Sequence, residues 1–474
     1  MGDRVAAVRF GHYAVPLARP VSDAKVATGR QRPLVQIDVL TCEITTDDGL
    51  EGLGFSYTTR AGCRAQFAHA KEVGEILLGR DPSDIARLYD ELLWAGASVG
   101  RSGVATQALA AVDVALWDLK AKRAGLPLAK LLGSYRDSVR TYNTSGGYLQ
   151  APIEEVKERA RQSLSEGIGG IKIKVGQPDT REDLRRLAAV REHLGDDVPL
   201  MVDANQQWDR PTALRFGRAV EELGLVWIEE PLDAYDAEGH AQLAAALGTP
   251  IATGEMLSSV PDLVRLIDLR AVGFLQPDVP RVGGITPYLK VAALADHAHL
   301  QVAPHFVMEI HVHLAAAYPR ESWVEHIEWL SPLFEERLEI EGGRMRVPDR
   351  PGLGLSLADT AVAWRLDQVE FGGVAGGRSD GGEFGGVAGG RSDRGAFGGV
   401  AGGRSDRGEV AGGRSDRGAF GGVPGGRSDR GEVAGGRSDR GAFGGVPGGR
   451  SDGGGFGRVA GGWSGGVEFR ADAG

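Results

Sequence analysis

Only two cysteines, Cys42 and Cys63, stand in a chain of 474 residues, too few for a disulfide framework. No run approaches the roughly 18 unbroken apolar residues of a membrane span, which excludes a membrane partner of that kind. No signal-peptide pattern is legible, and the expectation is a cytoplasmic protein. Aromatic residues are sparse at 7 %. Beyond Glu370 there is no Leu, Ile, Lys or Thr at all, while 40 of the 73 glycines lie there. Positive charge is also in deficit. The chain carries −10 overall, and residues 1–370 hold 40 basic against 52 acidic groups. A body of that sign argues against nucleic acid or an anionic surface as partner.

From Phe371 the chain repeats units of the type FGGVAGGRSDRG, with GGRSD seven times at spacings of 10 or 13 residues. Such units have no apolar face to stack, and glycine-rich chain has a high ordering entropy with little burial to offset it. Residues 369–474 are therefore expected to be a disordered low-complexity tail. Alternation of Arg with Asp nearly cancels any basic field along it.

The body divides by rhythm. Residues 1–130 read as an α+β unit. Val35–Thr45 alternates, Asp47-Asp48-Gly49 signals a hairpin, and Leu50–Tyr57 returns. Helical patterns then cover 67–78, 83–94 and 105–123. From about Val139 short apolar runs alternate with helical stretches: GIKIKV, PLMVDAN, LVWIEEP, PIATGEM, GFLQPD, LQVAPH and WVEHI. With a first strand over 139–142, these predict parallel βαβ units sufficient for a barrel across 131–335.

Each run ends on an ionisable group. Lys172 and Lys174, Asp203, Glu229, Glu255, Asp278, His305 and Glu325 come in that order, at the strand ends where barrels carry out chemistry. Asp203, Glu229 and Glu255 are spaced by 26 residues each and come from consecutive strands. Three carboxylates in one mouth require a cation, and oxygen-only ligands suit Mg²⁺ better than zinc. Glu230 is one residue out of register and is expected to point away, into an ion pair. Lys172 and Lys174, two apart, share a strand face. A like charge beside it and a dication across the site would make Lys174 easier to deprotonate, as a general base. Asp278 precedes His305 by one strand and can orient its imidazole.

This set of strand ends resembles the mandelate racemase branch of the enolase superfamily. So do VSDAKVATGRQ, GLGFSYTTRAG, YNTSGG, QPDVPRVGGI and APHFVMEIHVHLAAAYP, with the likeness running over about residues 5–365. The resemblance implies an α/β fold: a (β/α)7β TIM-like barrel, an N-terminal α+β capping domain, and a segment 336–368 returning to the cap. It implies Mg²⁺ on Asp203, Glu229 and Glu255. Lys174 would abstract a proton α to a carboxylate, and His305, oriented by Asp278, would protonate the departing β-hydroxyl. Lys172, Asn205 and Glu325 would contact substrate, and Asp23, Ala24, Lys25, Thr59 and Arg60 would close over it from the cap. The flanking stretches point to an acid-sugar dehydratase taking galactarate and/or L-talarate to 5-keto-4-deoxyglucarate. The alternative is a racemase or epimerase of a related acid. A homo-oligomer is the family expectation. His311 and His313 are read as packing or surface residues, and Cys63 as a loop residue.

Overall fold

Three antiparallel strands, β1 (Val5–Val21), β2 (Leu34–Thr46) and β3 (Glu51–Thr58), open the chain of the computed structural model. The described residues are 3–144 and 147–373, and the repeats from residue 374 onward lie outside them. The hairpin turns at Asp47–Gly49 as its composition demands, with Gly49 at φ 83°. β1, not foreseen, pairs with β2 along most of its length. Alternation puts Val8, Phe10, Leu40, Cys42 and Ile44 into one core. Cys63 is not in a loop: it begins the helix Cys63–Val73 and is buried.

The helix Val104–Arg123 is apolar nearly all round and buried along its length, the pattern of an element enclosed on every side. It lies so close to β3 that a Cβ on Gly54 would stand 2.1 Å from the Ala111 carbonyl oxygen. Its two buried acids join the cap to the rest. Asp113 accepts from the Thr286 backbone N–H at 2.8 Å, at the start of the barrel helix Ile285–His297, a placement the helix dipole favours. Burial nonetheless pushes its carboxyl up to about 7. Asp118 accepts from the N–H of Leu53 at 2.8 Å and of Leu353 at 2.7 Å. One helix thus ties the cap sheet, the barrel and the C-terminal segment together.

Eight parallel strands come next: β4 (Ser138–Asn143), β5 (Ile171–Lys174), β6 (Leu200–Asp203), β7 (Ile228–Glu229), β8 (Ile251–Thr253), β9 (Phe274–Leu275), β10 (Gln301–Val302) and β11 (Trp323–His326). They pair in chain order from β4 to β10, and β11 pairs with the other edge of β4. Helices occupy every interval between them. Tyr142, Met201, Trp227, Ala252, Ala303 and Trp323 pack together. Tyr142 and Trp227 meet edge-on at 5.1 Å. Trp227 and Trp323 are packing residues of this cluster. No described helix is long and apolar enough to cross a membrane.

His311 and His313 are fully buried, not at the surface. His313 accepts from Ala129 N–H at 3.3 Å and donates to the Leu353 carbonyl at 3.1 Å. The C-terminal segment ends in a strand, Arg365–Gly372, that pairs antiparallel with β1, placing Phe371 opposite Val8. A boundary at 368 would cut this strand in half. Its glycines hid it, but Phe371 also meets Phe10 edge-on at 6.5 Å. Ending the chain after Gly373 should therefore leave the melting temperature unchanged. Ending it after Gln368 should cost about 2 kcal/mol through lost pairing and burial of Val369 and Phe371, measured by urea unfolding of the two truncated chains.

Candidate active site

The ladders align the predicted residues. Lys174 is the register partner of Asp203, and Asp203 that of Glu229. Immediately past these ends the chain turns sharply. Asn205, Gln206, Glu230 and Phe306 have φ of 45°, 66°, 37° and 56°, four of the six non-glycine residues in the left-handed region, φ above about 20°, among the described residues. Such backbone costs of order 1–3 kcal/mol each and persists where surrounding contacts enforce it. Here the turn aims a second layer of side chains back at the first. The Asn205 N–H and side-chain amide donate to Asp203 at 2.8 and 3.0 Å. Glu230 is fully buried, and its partner is not a cation but the Gln206 amide at 2.8 Å.

Lys172 is fully buried between Glu229 at 2.8 Å and Glu325 at 2.9 Å. Although burial opposes it, those carboxylates hold its ammonium well above the usual range. Glu229 also accepts from the Trp227 indole and the Gln276 amide, both at 2.9 Å. Burial still pushes its carboxyl up to about 8. Glu325 accepts from the Thr144 hydroxyl at 2.7 Å; against the effect of burial, Lys172 and His305 hold it down to about 2. Lys174 pairs with Asp203. The expectation of an easily deprotonated lysine is set for a site holding a dication; the chain's own groups act otherwise. Burial and Lys172 push it down, but Asp203 and the other carboxylates raise it above the ordinary value.

His305 Nδ1 lies 2.9 Å from Asp278 Oδ2, leaving Nε2 as the ring atom nearer Glu255, at 3.7 Å. Burial opposes its protonation, yet Glu255 and Asp278 raise it above the usual imidazole range. His311 holds the backbone on both sides of this pair. It accepts from the Val279 N–H at 3.2 Å, and its Nδ1 donates to the Phe306 carbonyl at 3.0 Å. Burial holds it neutral, down to about 4.

Six buried carboxylates, Asp203, Glu229, Glu230, Glu255, Asp278 and Glu325, thus face three barrel cations, Lys172, Lys174 and Arg281, with Lys25 reaching in from the cap. Coulomb repulsion in such a site demands further positive charge or bound protons. Asn205 Oδ1 is also buried without a partner beside Asp203. The oxygen-only set of Asp203, Glu229 and Glu255 fits a hard divalent cation. Among the described residues, the one acidic trio whose ligand oxygens lie within 4.8 Å of each other is Asp3, Asp47 and Asp48. It is a surface group whose counter-charge is Arg123, 2.7 Å from Asp3. The barrel carboxylates are instead turned toward the lysines and His305.

Above the strand ends lies a cavity of about 930 Å³, including its open mouth, between cap and barrel. Asp23, Lys25, Thr59 and Arg60 line it from the cap. Lys172, Lys174, Asp203, Asn205, Glu255, His305 and Glu325 line it from the barrel. Glu229 and Asp278 lie behind this surface. Ala24 is fully buried and is not a lining residue. Asp23 caps the short helix Ala24–Ala27 by accepting from the Val26 N–H at 3.0 Å, which turns Lys25 inward. Sequence reasoning missed Arg281, Tyr148 and Trp329 on the wall. Arg281 had a legible signal, lying three residues after Asp278.

Residues 7–133 match the family model of the mandelate racemase / muconate lactonizing enzyme N-terminal domain, and residues 155–361 match that of the enolase C-terminal domain-like fold. The chain belongs to this family. A curated relative, the L-talarate/galactarate dehydratase of Salmonella typhimurium, is 60 % identical over 371 residues, which are 78 % of this chain and 93 % of that one. Its structure with Mg and L-lyxarohydroxamate superposes with a TM-score of 0.78, covering 79 % of this chain and 95 % of that one. An L-talarate dehydratase from Polaromonas, solved with Mg and L-glucarate, is 64 % identical with a TM-score of 0.77, covering 78 % of this chain and all of that one. More distant is a 3,6-anhydro-alpha-L-galactonate cycloisomerase from Streptomyces coelicolor, 37 % identical over 74 % of this chain and 96 % of that one.

Saturating Mg²⁺ should therefore stabilise the fold. At 100 times the dissociation constant the gain is about 2.7 kcal/mol, seen as a rise of a few degrees in Tm that EDTA reverses. Glu255→Gln should abolish most of that rise.

Proposed function

We propose that this protein is a Mg²⁺-dependent hydro-lyase acting on galactarate and/or L-talarate to give 5-keto-4-deoxyglucarate. The observation that carries the reading is the placement of Lys174 and His305 at separate strand ends of one cavity, with the acidic trio between them in strand order. Likeness to dehydratases over nearly their whole length supports it. The eight strands and their seven intervening helical intervals are consistent with a (β/α)7β barrel. The domains are taken as 1–130, 131–335 and 336–368, with the last extended to 373.

Asp203, Glu229 and Glu255 would hold the metal, which supplies Lewis-acid stabilisation of the negative charge that develops on a substrate carboxylate. Lys174 Nζ takes the proton from the α-carbon, once neutral and released from its pairing with Asp203. The C–H electron pair becomes the new carbon–carbon double bond. Lys172, fixed by Glu229 and Glu325, offers a permanent positive charge to the carboxylate oxygens as charge accumulates there. The β-carbon–oxygen bond breaks as His305 Nε2 gives its proton to the departing hydroxyl, which leaves as water. The enol then ketonises. Lys25, Arg60, Thr59 and Asp23, with Asn205, would hold the hydroxyls and far carboxylate of a six-carbon diacid.

The same two groups can also exchange a proton on either side of one carbon, so an epimerase of the same diacids is the second reading. The exposed apolar residues Trp94 and Val99 at the cap edge support the homo-oligomer, and two buried free thiols are in keeping with the cytoplasm. Incubation with a panel of sugar diacids and Mg²⁺ should yield an α-keto acid. Lys174→Ala should reduce that yield by about 10³-fold or more. An enzyme that forms no keto acid but converts one diacid into its α-epimer, with solvent deuterium at the inverted carbon, would establish the epimerase instead.

A further inference from the structure

Tyr57 belongs to the cap, yet its hydroxyl ends inside the barrel. It donates to Asp278 Oδ2 at 2.7 Å and lies 3.4 Å from His305 Nδ1. Asp278 Oδ2 is also the oxygen that receives the Nδ1–H of His305, while Oδ1 accepts from the Arg281 backbone N–H at 2.9 Å. The ring is clamped: Phe306 meets it edge-on with centroids 4.7 Å apart, and the Arg281 guanidinium stands 5.7 Å from its centroid. Phe306 follows His305 and Arg281 follows Asp278 by three, so both segments of the dyad close around this one side chain.

A buried phenol needs one acceptor, and a backbone carbonyl would serve. Tyr57 uses instead the carboxylate oxygen that orients the histidine. Two donors on one oxygen share its charge, so each bond restrains the other. Thr59 and Arg60, which line the cavity, follow Tyr57 by two and three residues. A cap drawn down on substrate and a hydroxyl placed on the dyad are therefore parts of one chain segment.

We infer that Tyr57 is a positioning residue for proton delivery: its cap-borne hydroxyl fixes the Asp278 oxygen that holds the His305 ring, and so aims His305 Nε2. The inference rests on the proposed role of His305 as the acid that releases water. Without the hydroxyl, the Asp278 oxygen that receives the His305 Nδ1–H loses its second anchor, so the carboxylate and the ring it holds can turn and Nε2 is less well aimed at the departing hydroxyl. The Lys174 face does not depend on it.

Tyr57→Phe keeps the ring and its packing, and Tm should stay within a few degrees of wild type. Keto-acid formation should fall about ten-fold in kcat with KM held within about two-fold. In deuterium oxide, wash-in at the α-carbon of recovered substrate per keto acid formed should rise by about the same factor, because proton abstraction continues while elimination lags. A merely structural role would lower exchange and elimination together and leave their ratio fixed. An unchanged ratio overturns the inference. A second readout needs no turnover. The downfield proton signal of the His305 Nδ1–H, assigned by its loss in His305→Asn, should shift in Tyr57→Phe; an unmoved signal likewise overturns the inference. If wild type forms no keto acid, the proposed function fails, and the proton signal alone decides on Tyr57.

Discussion

Uncompensated negative charge at the mouth of the barrel is the constraint on which the rest depends. Six carboxylates are held away from water among three barrel cations and Lys25 of the cap. Within the chain the charge is met by ion pairing and by protons: Lys172 is locked to two glutamates, Lys174 is taken by Asp203, and the Glu229 and Glu230 carboxyls are pushed up by burial. A divalent cation held by Asp203, Glu229 and Glu255, as proposed, would change every one of these relations at once. With its charge met in this way, Asp203 would no longer need Lys174 as its partner. A residue that reads as a locked ammonium in the chain alone is in this way compatible with a base.

The second theme is that the barrel does not complete the site. The cap supplies one wall of the cavity, a buried carboxylate at the head of the helix Ile285–His297, and the Tyr57 hydroxyl on the histidine–aspartate pair. The helix Val104–Arg123 is the mechanical link, since Asp113 and Asp118 satisfy backbone donors in three parts of the molecule. Removing either acid would leave buried N–H groups unpaired, which costs more than the bond itself contributes.

Much of this was legible in the sequence, for a definite reason. An ionisable residue closing an apolar strand is conspicuous, and the constant spacing of Asp203, Glu229 and Glu255 reveals that the strands are successive. The eight parallel strands and three cap helices can be read from periodicity alone. What was hidden depends on long-range contact. Tyr57 looks like any strand tyrosine until a residue 221 positions away meets it. His311 gives no sign of spanning Val279 and Phe306. Ala24 was carried over by resemblance and packs inward, behind the surface. The last strand was masked by its own glycines, because composition reported a tail where pairing with β1 continued. Glu230 was expected to find an ion pair, but its turn required a positive φ that sequence does not announce, and its partner is the Gln206 amide.

The most direct test of the central claim is anomalous diffraction from crystals soaked in Mn²⁺, which replaces Mg²⁺ among oxygen ligands and scatters strongly. One peak per chain, within ligand distance of Asp203, Glu229 and Glu255 and with Lys174 turned away from Asp203, is the predicted result. An empty carboxylate cluster with Lys174 still paired to Asp203, or a peak only at Asp3, Asp47 and Asp48, would contradict it.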